Sequence, residues 1–384
     1  MNSDKPQISR RALLSSLGLF ALSSRSLAVN VAQCLQVNDL DRRVWEEELE
    51  SWVPKQMWDM HSHLGLYRFD VDPNRDKSRH YGLNAAELEK TADLETLQAC
   101  NALLYPGRRV IPFVLPNPYQ YCDCMNLNQW AAEEVKKQSE AACTMVVKPD
   151  MSAEYIDREV RRNRFIGYKP YMWYSRIANW RESRITDFLT EPQLEVANQY
   201  GLIMALHLSK RAAISDPENL ADLERLSSTY PRVRWLLLHN ARSYAAWAIE
   251  KAAPRLRNIP NVWLESSSVC EADAFYATFT LLGANRFCYG SDDLAVGVTR
   301  GKYIAWGYGW EQLDGNNFPV KISHCDGRMT FVRYEMLRAI KRAAKYAGLS
   351  TSQVEDIFYG NGNRLVAEAR ADLNRALGGD AKPR

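Results

Sequence analysis

Residues Met57 to Gly65 have the sequence MWDMHSHLG, in which an apolar run ends in two histidines separated by one serine. Alternate side chains of a β-strand point to the same face, so His61 and His63 can reach one ion from a single strand end. Neutral imidazole is a good ligand for zinc, iron or nickel. This stretch therefore predicts a buried strand that carries two metal ligands at its carboxyl end.

Seven more short apolar runs follow along the chain, with helical segments between them. Strands that alternate with helices indicate βαβ units and parallel pairing. Eight such strands in 384 residues favour a closed (β/α)8 barrel, an α/β TIM-barrel fold, over an open sheet. The further runs cover residues 110–115, 143–147, 165–169, 202–207, 233–239, 262–265 and 287–290.

Three segments carry helix signals. Trp130 to Ala141 has helix-forming composition, and Thr190 is a candidate cap for a helix from Glu191 to Tyr200. Ser352 to Glu355 matches a capping box that opens a final helix. Asn361-Gly362 is expected to interrupt that helix.

Polar residues stand where the predicted strands end, and in a barrel these ends converge on one mouth. The chain has six histidines, and four of them close a predicted strand. A single histidine there is usually a hydrogen-bonded core residue, whereas four of them, joined by an aspartate after the eighth run, indicate a metal site. Three histidines and one aspartate leave a coordination position open for water or substrate, as in catalytic sites. The predicted ligands are His61, His63, His207 and Asp292, with His239 beside them.

Five motifs, in order, resemble the amidohydrolase superfamily. Residues 57–65 resemble its first-strand motif, 205–207 its fifth-strand histidine, 237–242 its sixth-strand histidine segment and 289–292 its eighth-strand aspartate motif. Residues 360–365 are similar to the closing helix of the branch that contains aminocarboxymuconate-semialdehyde decarboxylase. The resemblance extends from Trp58 to Val366 and implies a metal-dependent enzyme.

The resemblance also implies roles for these residues. His61, His63 and His207 would bind the metal, and Asp292 would be a ligand or the base for the activated water. His239 would bind a second metal, or act as an acid, base or electrophile near the substrate. The implied cofactor is a divalent metal, one Zn²⁺, with a second ion as the alternative.

Lys169 has two interpretations. Some family members carry a carboxylated lysine after the fourth strand that bridges two metals, and the segment 167–170 occupies that region. An unmodified lysine would instead bind a substrate carboxylate. We favour one metal, because an ordinary lysine is a poor metal ligand.

The predicted rim contains further candidates for substrate binding. Arg242 and Arg176 could hold an anionic substrate by bidentate contacts, or could be ordinary surface arginines. The long segment 298–329 includes Trp306 and Trp310 and predicts one wall of a substrate pocket. The alternative for these aromatic residues is a homodimer contact.

The first residues have the features of an export signal. Adjacent arginines at positions 10 and 11 precede a short apolar run, and small residues end at Ala28. The arginine pair resembles a twin-arginine leader and predicts an exported, periplasmic protein; the alternative is an amphipathic N-terminal helix. The expected organisation is a signal (1–28), an N-terminal extension (29–55), a barrel (56–370) and a C-terminal tail (371–384).

Charge and hydropathy argue against nucleic acid and membranes as binding partners of the protein. The whole chain has a net charge of +3, and residues 1–28 carry all of it, so the rest is nearly neutral. Neutrality gives no attraction to nucleic acid. No run reaches the roughly 20 apolar residues that span a bilayer, so no membrane insertion is expected after signal removal. We expect a small-molecule substrate.

Three functions compete at this point. The first is metal-dependent hydrolysis of an amide, lactone or ester bond. The second is non-oxidative decarboxylation of an aromatic-like carboxylic acid, which would use the same ligands. The third is a catalytically silent periplasmic binding protein, which metal-dependent turnover would eliminate.

Overall fold

The computed structural model describes residues 30–74, 88, 91–315, 317 and 324–378. The predicted signal (1–28), His80 and the end of the predicted tail (379–384) lie outside the described residues.

The described chain forms an α/β barrel, as the alternating runs predict. Each predicted run coincides with one barrel strand, and the third is split in two at Thr144. A short strand pairs antiparallel with the first strand, and a separate hairpin follows the eighth. The strands are β1 (Gln56–Leu66), β2 (Thr91–Ala92), β3 (Arg109–Pro116), β4 (Ala142–Cys143), β5 (Met145–Val147), β6 (Gly167–Pro170), β7 (Ile203–Leu206), β8 (Arg234–Leu237), β9 (Val262–Glu265), β10 (Phe287–Cys288), β11 (Lys302–Trp306) and β12 (Gly309–Leu313).

Two parallel sheets join to close the barrel. One contains β1, β3 and β4, and the other runs from β5 to β10 in sequence order. At the first joint, Thr144 between β4 and β5 donates its N–H to Val114 O at 2.9 Å. At the second joint, Met60 N–H donates to Tyr289 O at 2.9 Å, and Asp292 N–H donates to His61 O at 2.8 Å. These bonds connect the last strand to the first and bring Asp292 beside the histidines of β1.

Helices surround the strands, and side-chain caps determine several of their starts. Within the described residues, no helix is long and apolar enough to cross a membrane. The helices are α1 (Val31–Leu35), α2 (Asp39–Arg43), α3 (Leu94–Leu104), α4 (Cys124–Val135), α5 (Ala153–Asn163), α6 (Ile185–Phe188), α7 (Glu191–Tyr200), α8 (Pro217–Thr229), α9 (Ala246–Leu256), α10 (Ala272–Leu281), α11 (Val332–Tyr346), α12 (Thr351–Glu355) and α13 (Asn361–Ala376). Single π turns cover Val44–Leu49 and Asp356–Gly360, and 3-10 turns cover Tyr67–Phe69, Met172–Tyr174, Trp180–Glu182 and Ala213–Ser215.

Local signals predicted some helix ends correctly and others wrongly. Helix α7 has the predicted bounds, and the Gln193 side chain accepts the Thr190 N–H at 3.1 Å. Helix α4 starts six residues before the predicted Trp130, because the Asp123 carboxylate accepts the Asn126 N–H and caps it earlier. The final capping box is formed by Ser350 and Gln353 rather than by residues 352–355.

The predicted interruption at Asn361-Gly362 is wrong, because both residues serve packing within α13. Asn361 donates to the carbonyls of Ala284 and Phe287 at 2.8 and 2.7 Å, which fastens the helix to the start of β10. A Cβ on Gly362 would lie 2.8 Å from Trp58 Cβ, so only glycine permits this approach to β1. The closing helix therefore packs directly against the strand that carries His61 and His63.

The N-terminal extension packs against the segment that follows the eighth strand. The buried Asp41 carboxylate accepts two hydrogen bonds from Arg300, at 2.9 and 2.6 Å, and one from Thr330 at 2.7 Å. The described part of 298–329 is not a simple loop, since β11 and β12 form a hairpin in it. Arg300 lies just before the hairpin and Thr330 directly follows the segment 298–329, so Asp41 fastens both ends of this segment.

Candidate metal centre

Three of the four predicted ligands, His61, His63 and Asp292, meet at the carboxyl end of the barrel. His61 and His63 lie near the end of β1, and their Nε2 atoms are 3.1 Å apart. Asp292 Oδ1 lies 3.5 Å from His61 Nε2 and 3.3 Å from His63 Nε2. In a tetrahedral site, ligand atoms that lie about 2.0–2.1 Å from the metal are about 3.4 Å from one another. The three atoms here have this spacing, so all three could bind the same ion.

The four imidazoles around this centre are held through the same ring nitrogen, Nδ1. His63 Nδ1 bonds to Leu115 O at 2.9 Å, and His207 Nδ1 bonds to Leu208 O at 3.1 Å. A carbonyl oxygen only accepts, so these Nδ1 atoms carry the proton and leave the Nε2 lone pair free. His61 Nδ1 and His239 Nδ1 are held in a similar way by residues at the end of β9.

This arrangement fits a cation. With Nδ1 protonated, His61 and His63 place two nitrogen lone pairs 3.1 Å apart in a buried site, and a metal ion between them would satisfy both. Burial lowers the pKa of His61 and His207 well below the ordinary value, and that of His239 to about 4. The imidazoles of His61, His207 and His239 are therefore neutral at pH 7, which is the form that binds metal.

The charge of Asp292 is maintained in the same environment. Burial alone would raise the pKa of its carboxyl group, but His61, His63 and His239 outweigh burial and hold it well below the usual range. The Ser268 hydroxyl donates to Asp292 Oδ2 at 2.6 Å. Asp292 thus supplies an ionised oxygen to a centre of neutral nitrogens.

His207 stands farther from this face than predicted. Among the described residues, two groups of three side chains have ligand atoms close enough to share an ion, and they are His61, His63, Asp292 and His61, His239, Glu265. His207 belongs to neither group. Its ring lies 5.0 Å from the ring of His239 and 4.9 Å from that of Tyr171, so it borders the centre on the side of β7.

His239 does not close a strand, contrary to the prediction for the run 233–239. Strand β8 ends at Leu237, and His239, Asn240, Ala241 and Arg242 all have left-handed backbone conformations with φ between 52° and 59°. Such a conformation costs about 1–2 kcal/mol per non-glycine residue. Tertiary contacts hold the turn: Glu265 accepts the His239 N–H at 2.6 Å, and Arg242 donates to the carbonyls of Leu208 and Lys210 at 2.8 and 3.0 Å.

Lys169 lies at the bottom of the site. Its side chain is fully buried on β6, and its amine has no hydrogen-bond partner among the described residues. Burial lowers the pKa of Lys169 to about 7, although the charges of Asp292 and Glu265 oppose the shift. The amine is therefore available for substrate, for metal or for carboxylation.

Glu265 and Ser267 were not assigned from the sequence, although the run 262–265 visibly ends in a carboxylate. Glu265 is buried, and its Oε1 lies 3.1 Å from His61 Nδ1. The Ser267 hydroxyl lies within hydrogen-bond distance of both His61 and His239. A charged residue at the carboxyl end of a barrel strand was the available signal.

Comparison with known proteins agrees with this geometry. The sequence matches the family model described as Amidohydrolase over residues 58–367. The chain belongs to the amidohydrolase family. No curated protein matches its sequence.

Solved structures with the same fold have low sequence identity to this amidohydrolase. An amidohydrolase from Burkholderia multivorans with bound zinc is 14% identical, with a TM-score of 0.53 over 81% of this chain and 99% of that one. A dihydroxybenzoic acid decarboxylase from Polaromonas sp. JS666, with bound manganese and the inhibitor 2-nitroresorcinol, is 14% identical, with a TM-score of 0.50 over 82% and 97%. A 2,6-dihydroxybenzoate decarboxylase in complex with 2,6-dihydroxybenzoate is 13% identical, with a TM-score of 0.50 over 82% and 99%. At these identities the likeness shows the shared barrel fold.

Aromatic side chains border the centre of the amidohydrolase. Tyr244 lies with its ring 6.2 Å from that of His239, and Trp310 of the hairpin stacks on Tyr244 at 4.0 Å. The Arg242 guanidinium is 5.8 Å from the Trp310 ring. Tyr171 stands on the other side, against His207. This wall has both flat apolar surfaces and a cation.

The other two candidate substrate residues lie on the surface of the amidohydrolase. Trp306, at the end of β11, is 57% exposed. Arg176 is exposed and donates to Pro149 O at 2.9 Å. Both side chains are thus exposed, whereas the four histidines are buried.

Proposed function

We propose that this amidohydrolase is a metal-dependent hydrolase that cleaves an amide, lactone or ester bond of a small molecule. The observation that carries the proposal is the position of Asp292. Its Oδ1 lies within 3.5 Å of two histidine Nε2 atoms, its Oδ2 is held by Ser268, and the residue retains 5% exposure at the mouth. A carboxylate so placed can accept a proton from water and return it to a leaving group.

The residues that would hold the metal are His61, His63 and Asp292. His207, which borders the centre on the side of β7, would have to move closer to become the fourth ligand. A divalent ion bound there lowers the pKa of water towards about 7 and polarises a carbonyl oxygen. Zinc in the Burkholderia multivorans structure and manganese in the Polaromonas structure support a divalent ion in this barrel. Three nitrogens and one carboxylate oxygen favour zinc, and we propose one Zn²⁺ per chain.

The proposed role of His239 follows from its hydrogen bonds. Its Nδ1 donates to Ser267 O at 3.2 Å, so its Nε2 carries a lone pair. A lone pair accepts a proton or binds a second metal but cannot donate to a carbonyl oxygen. We therefore assign His239 as a base or second-metal ligand and not as an electrophile.

The metal count decides the role of Lys169. With one ion, its buried cation would bind a negatively charged group of the substrate. With two ions, a carboxylated Lys169 would bridge them, and the group of His61, His239 and Glu265 supplies ligand atoms next to the first site. Mass spectrometry of the intact protein separates the cases, because carboxylation adds one CO₂ to the lysine.

Decarboxylation of an aromatic carboxylic acid is the second candidate. The observation in its favour is the wall of Tyr244, Trp310 and Arg242, since a planar ring would stack on the aromatic residues while the guanidinium meets a carboxylate. Two dihydroxybenzoate decarboxylase structures of the same fold hold planar aromatic compounds, 2-nitroresorcinol and 2,6-dihydroxybenzoate, which also supports it.

One experiment tests both candidates. The full chain, reconstituted with zinc or manganese, is incubated with a panel of lactones, p-nitrophenyl esters, N-acyl amino acids and dihydroxybenzoates. Hydrolysis predicts incorporation of ¹⁸O from labelled water, with loss of turnover in Asp292→Asn and normal turnover in His324→Ala, whose side chain is exposed whereas the four histidines of the centre are buried. Release of CO₂ without ¹⁸O incorporation would replace hydrolysis by decarboxylation.

A further inference from the structure

The end of β9 connects two histidines of the centre. Glu265 and Ser267, here called the β9 pair, lie between His61 and His239. The Glu265 carboxylate is buried and surrounded by donors. Its Oε1 meets His61 Nδ1 at 3.1 Å, the His239 N–H at 2.6 Å and the Ser267 hydroxyl at 2.8 Å, and its Oε2 meets the Ser267 N–H at 2.6 Å.

Within the described residues, the Ser267 hydroxyl is the nearest hydrogen-bond partner of the Nδ1 atoms of both imidazoles. It lies 2.8 Å from His61 Nδ1 and 2.9 Å from His239 Nδ1. A hydroxyl has one proton, and the carboxylate of Glu265 can only accept, so that proton goes to Glu265. Both histidine nitrogens must then be donors to the serine oxygen. Each imidazole is thereby held with its proton on Nδ1 and its lone pair on Nε2.

The backbone leaves space for this carboxylate. A Cβ on Gly290 would lie 2.3 Å from Glu265 Oε2 and 2.9 Å from His61 Cβ. Any other residue at position 290 would displace either the carboxylate or the histidine. The absence of a side chain at Gly290 therefore leaves the space that the Glu265 carboxylate occupies.

We propose that Glu265 and Ser267 are positioning residues that select the Nδ1–H tautomer of His61 and His239 together. The inference deepens the proposed function, because it assumes that His61 is a metal ligand. Four hydrogen bonds already occupy the oxygens of Glu265, so it acts through the histidines. The competing arrangement is a second ion bound by Glu265, His61 and His239.

The first test measures zinc affinity by chelator competition in Glu265→Gln, Ser267→Ala and Ser266→Ala. Removal of a group that orients a ligand typically weakens metal binding about 10- to 100-fold. We expect this loss for Glu265→Gln and Ser267→Ala, at an unchanged number of ions. Ser266→Ala is the matched control, because Ser266 is buried on the same segment but its hydroxyl bonds only to the backbone of Gly290. It should bind within about 2-fold of the wild type.

A second readout is independent of metal and of turnover. The chain has only six histidines, so histidine-selective ¹⁵N labelling can resolve their tautomers by NMR in the metal-free protein. We expect Nδ1–H for His61 and His239 in the wild type and in Ser266→Ala. In Ser267→Ala each Nδ1–H keeps only its longer acceptor, Glu265 Oε1 at 3.1 Å for His61 and the carbonyl oxygen of residue 267 at 3.2 Å for His239, so we expect a larger Nε2–H fraction for both. Should Glu265→Gln fail to fold, Ser267→Ala still provides the test.

Three results would overturn the inference. They are an Nε2–H tautomer in the wild type, unchanged tautomers in Ser267→Ala, or loss of one of two bound ions in Glu265→Gln. Failure of the proposed function has a different signature, since the wild type would then bind no metal while its tautomers could still be measured.

Discussion

Asp292 and Asp293 are neighbours in the sequence, but their carboxylates have separate partners. Asp292 Oδ1 lies 3.3 Å from His63 Nε2, whereas Asp293 forms a fully buried ion pair with Arg333 of α11. One carboxylate thus belongs to the candidate metal centre and the other to the barrel wall.

This difference predicts opposite phenotypes for two similar substitutions. Asp293→Asn leaves the buried Arg333 without its counter-ion and should lower the free energy of unfolding by about 3–5 kcal/mol. Asp292→Asn should cost less stability in metal-free protein but should abolish tight metal binding. Urea unfolding and metal titration of both variants check the prediction. Equal loss of stability in the two variants would contradict it.

Metal content tests the centre itself. Purified protein that has not met a chelator should hold about one divalent ion per chain, and His61→Ala/His63→Ala should lose it, since the two Nε2 atoms form one edge of the site. His324→Ala is the matched control, because this histidine is exposed. Folded wild-type protein without any metal would refute the proposed mechanism.

The buried histidines predict that the metal-free protein loses stability in acid. Burial lowers the pKa of His239 from 6.5 to about 4, so between these values the unfolded chain binds a proton that the folded chain does not. The free energy of unfolding therefore falls as pH decreases from 6.5 to 4, by up to about 1.4 kcal/mol per pH unit from this residue. Urea unfolding of chelator-treated protein at several pH values should show a shallower slope in His239→Gln. Identical slopes would exclude the contribution.

The two tryptophans of the hairpin should differ in their effect on substrate. Trp310 stacks on Tyr244 beside His239, whereas Trp306 is mostly exposed. Loss of one aromatic contact is worth about 0.5–1.5 kcal/mol, so Trp310→Ala should raise KM by about 2- to 10-fold. Trp306→Ala should leave KM unchanged. Steady-state kinetics on the substrate found in the panel provide the measurement, and unchanged KM in both variants would remove the hairpin from the pocket.

Replacing Gly362 by alanine should destabilise the protein, which is the opposite of the usual effect of this substitution in a helix. Replacing glycine by alanine inside a helix normally stabilises it by about 0.5–1 kcal/mol. At this position the new Cβ would lie 2.8 Å from Trp58 Cβ, so Gly362→Ala should push α13 away from β1 and destabilise the protein. Thermal unfolding measures the sign. A raised Tm would show that the contact relaxes at no cost.

Much of the barrel could be predicted from local pattern. The eight apolar runs are visible in the sequence because buried parallel strands are apolar on both faces. The position of His61 and His63 on one strand face follows from the period of two residues. The family motifs from Trp58 to Val366 agree with the match over residues 58–367.

Other features depend on contacts between residues far apart in the sequence. The left-handed turn at His239 contradicts local preference and is held because Glu265 accepts the His239 N–H. Helix α13 continues through Asn361-Gly362 because Asn361 bonds to the start of β10 and Gly362 packs closely against β1. The β9 pair becomes meaningful only when barrel closure brings β1, β8 and β9 together around one centre. Periodicity shows which face of a strand is buried. Hydrogen-bond partners across a barrel depend on how distant strands meet, since Glu265 bonds to His239, 26 residues away, and to His61, 204 residues away.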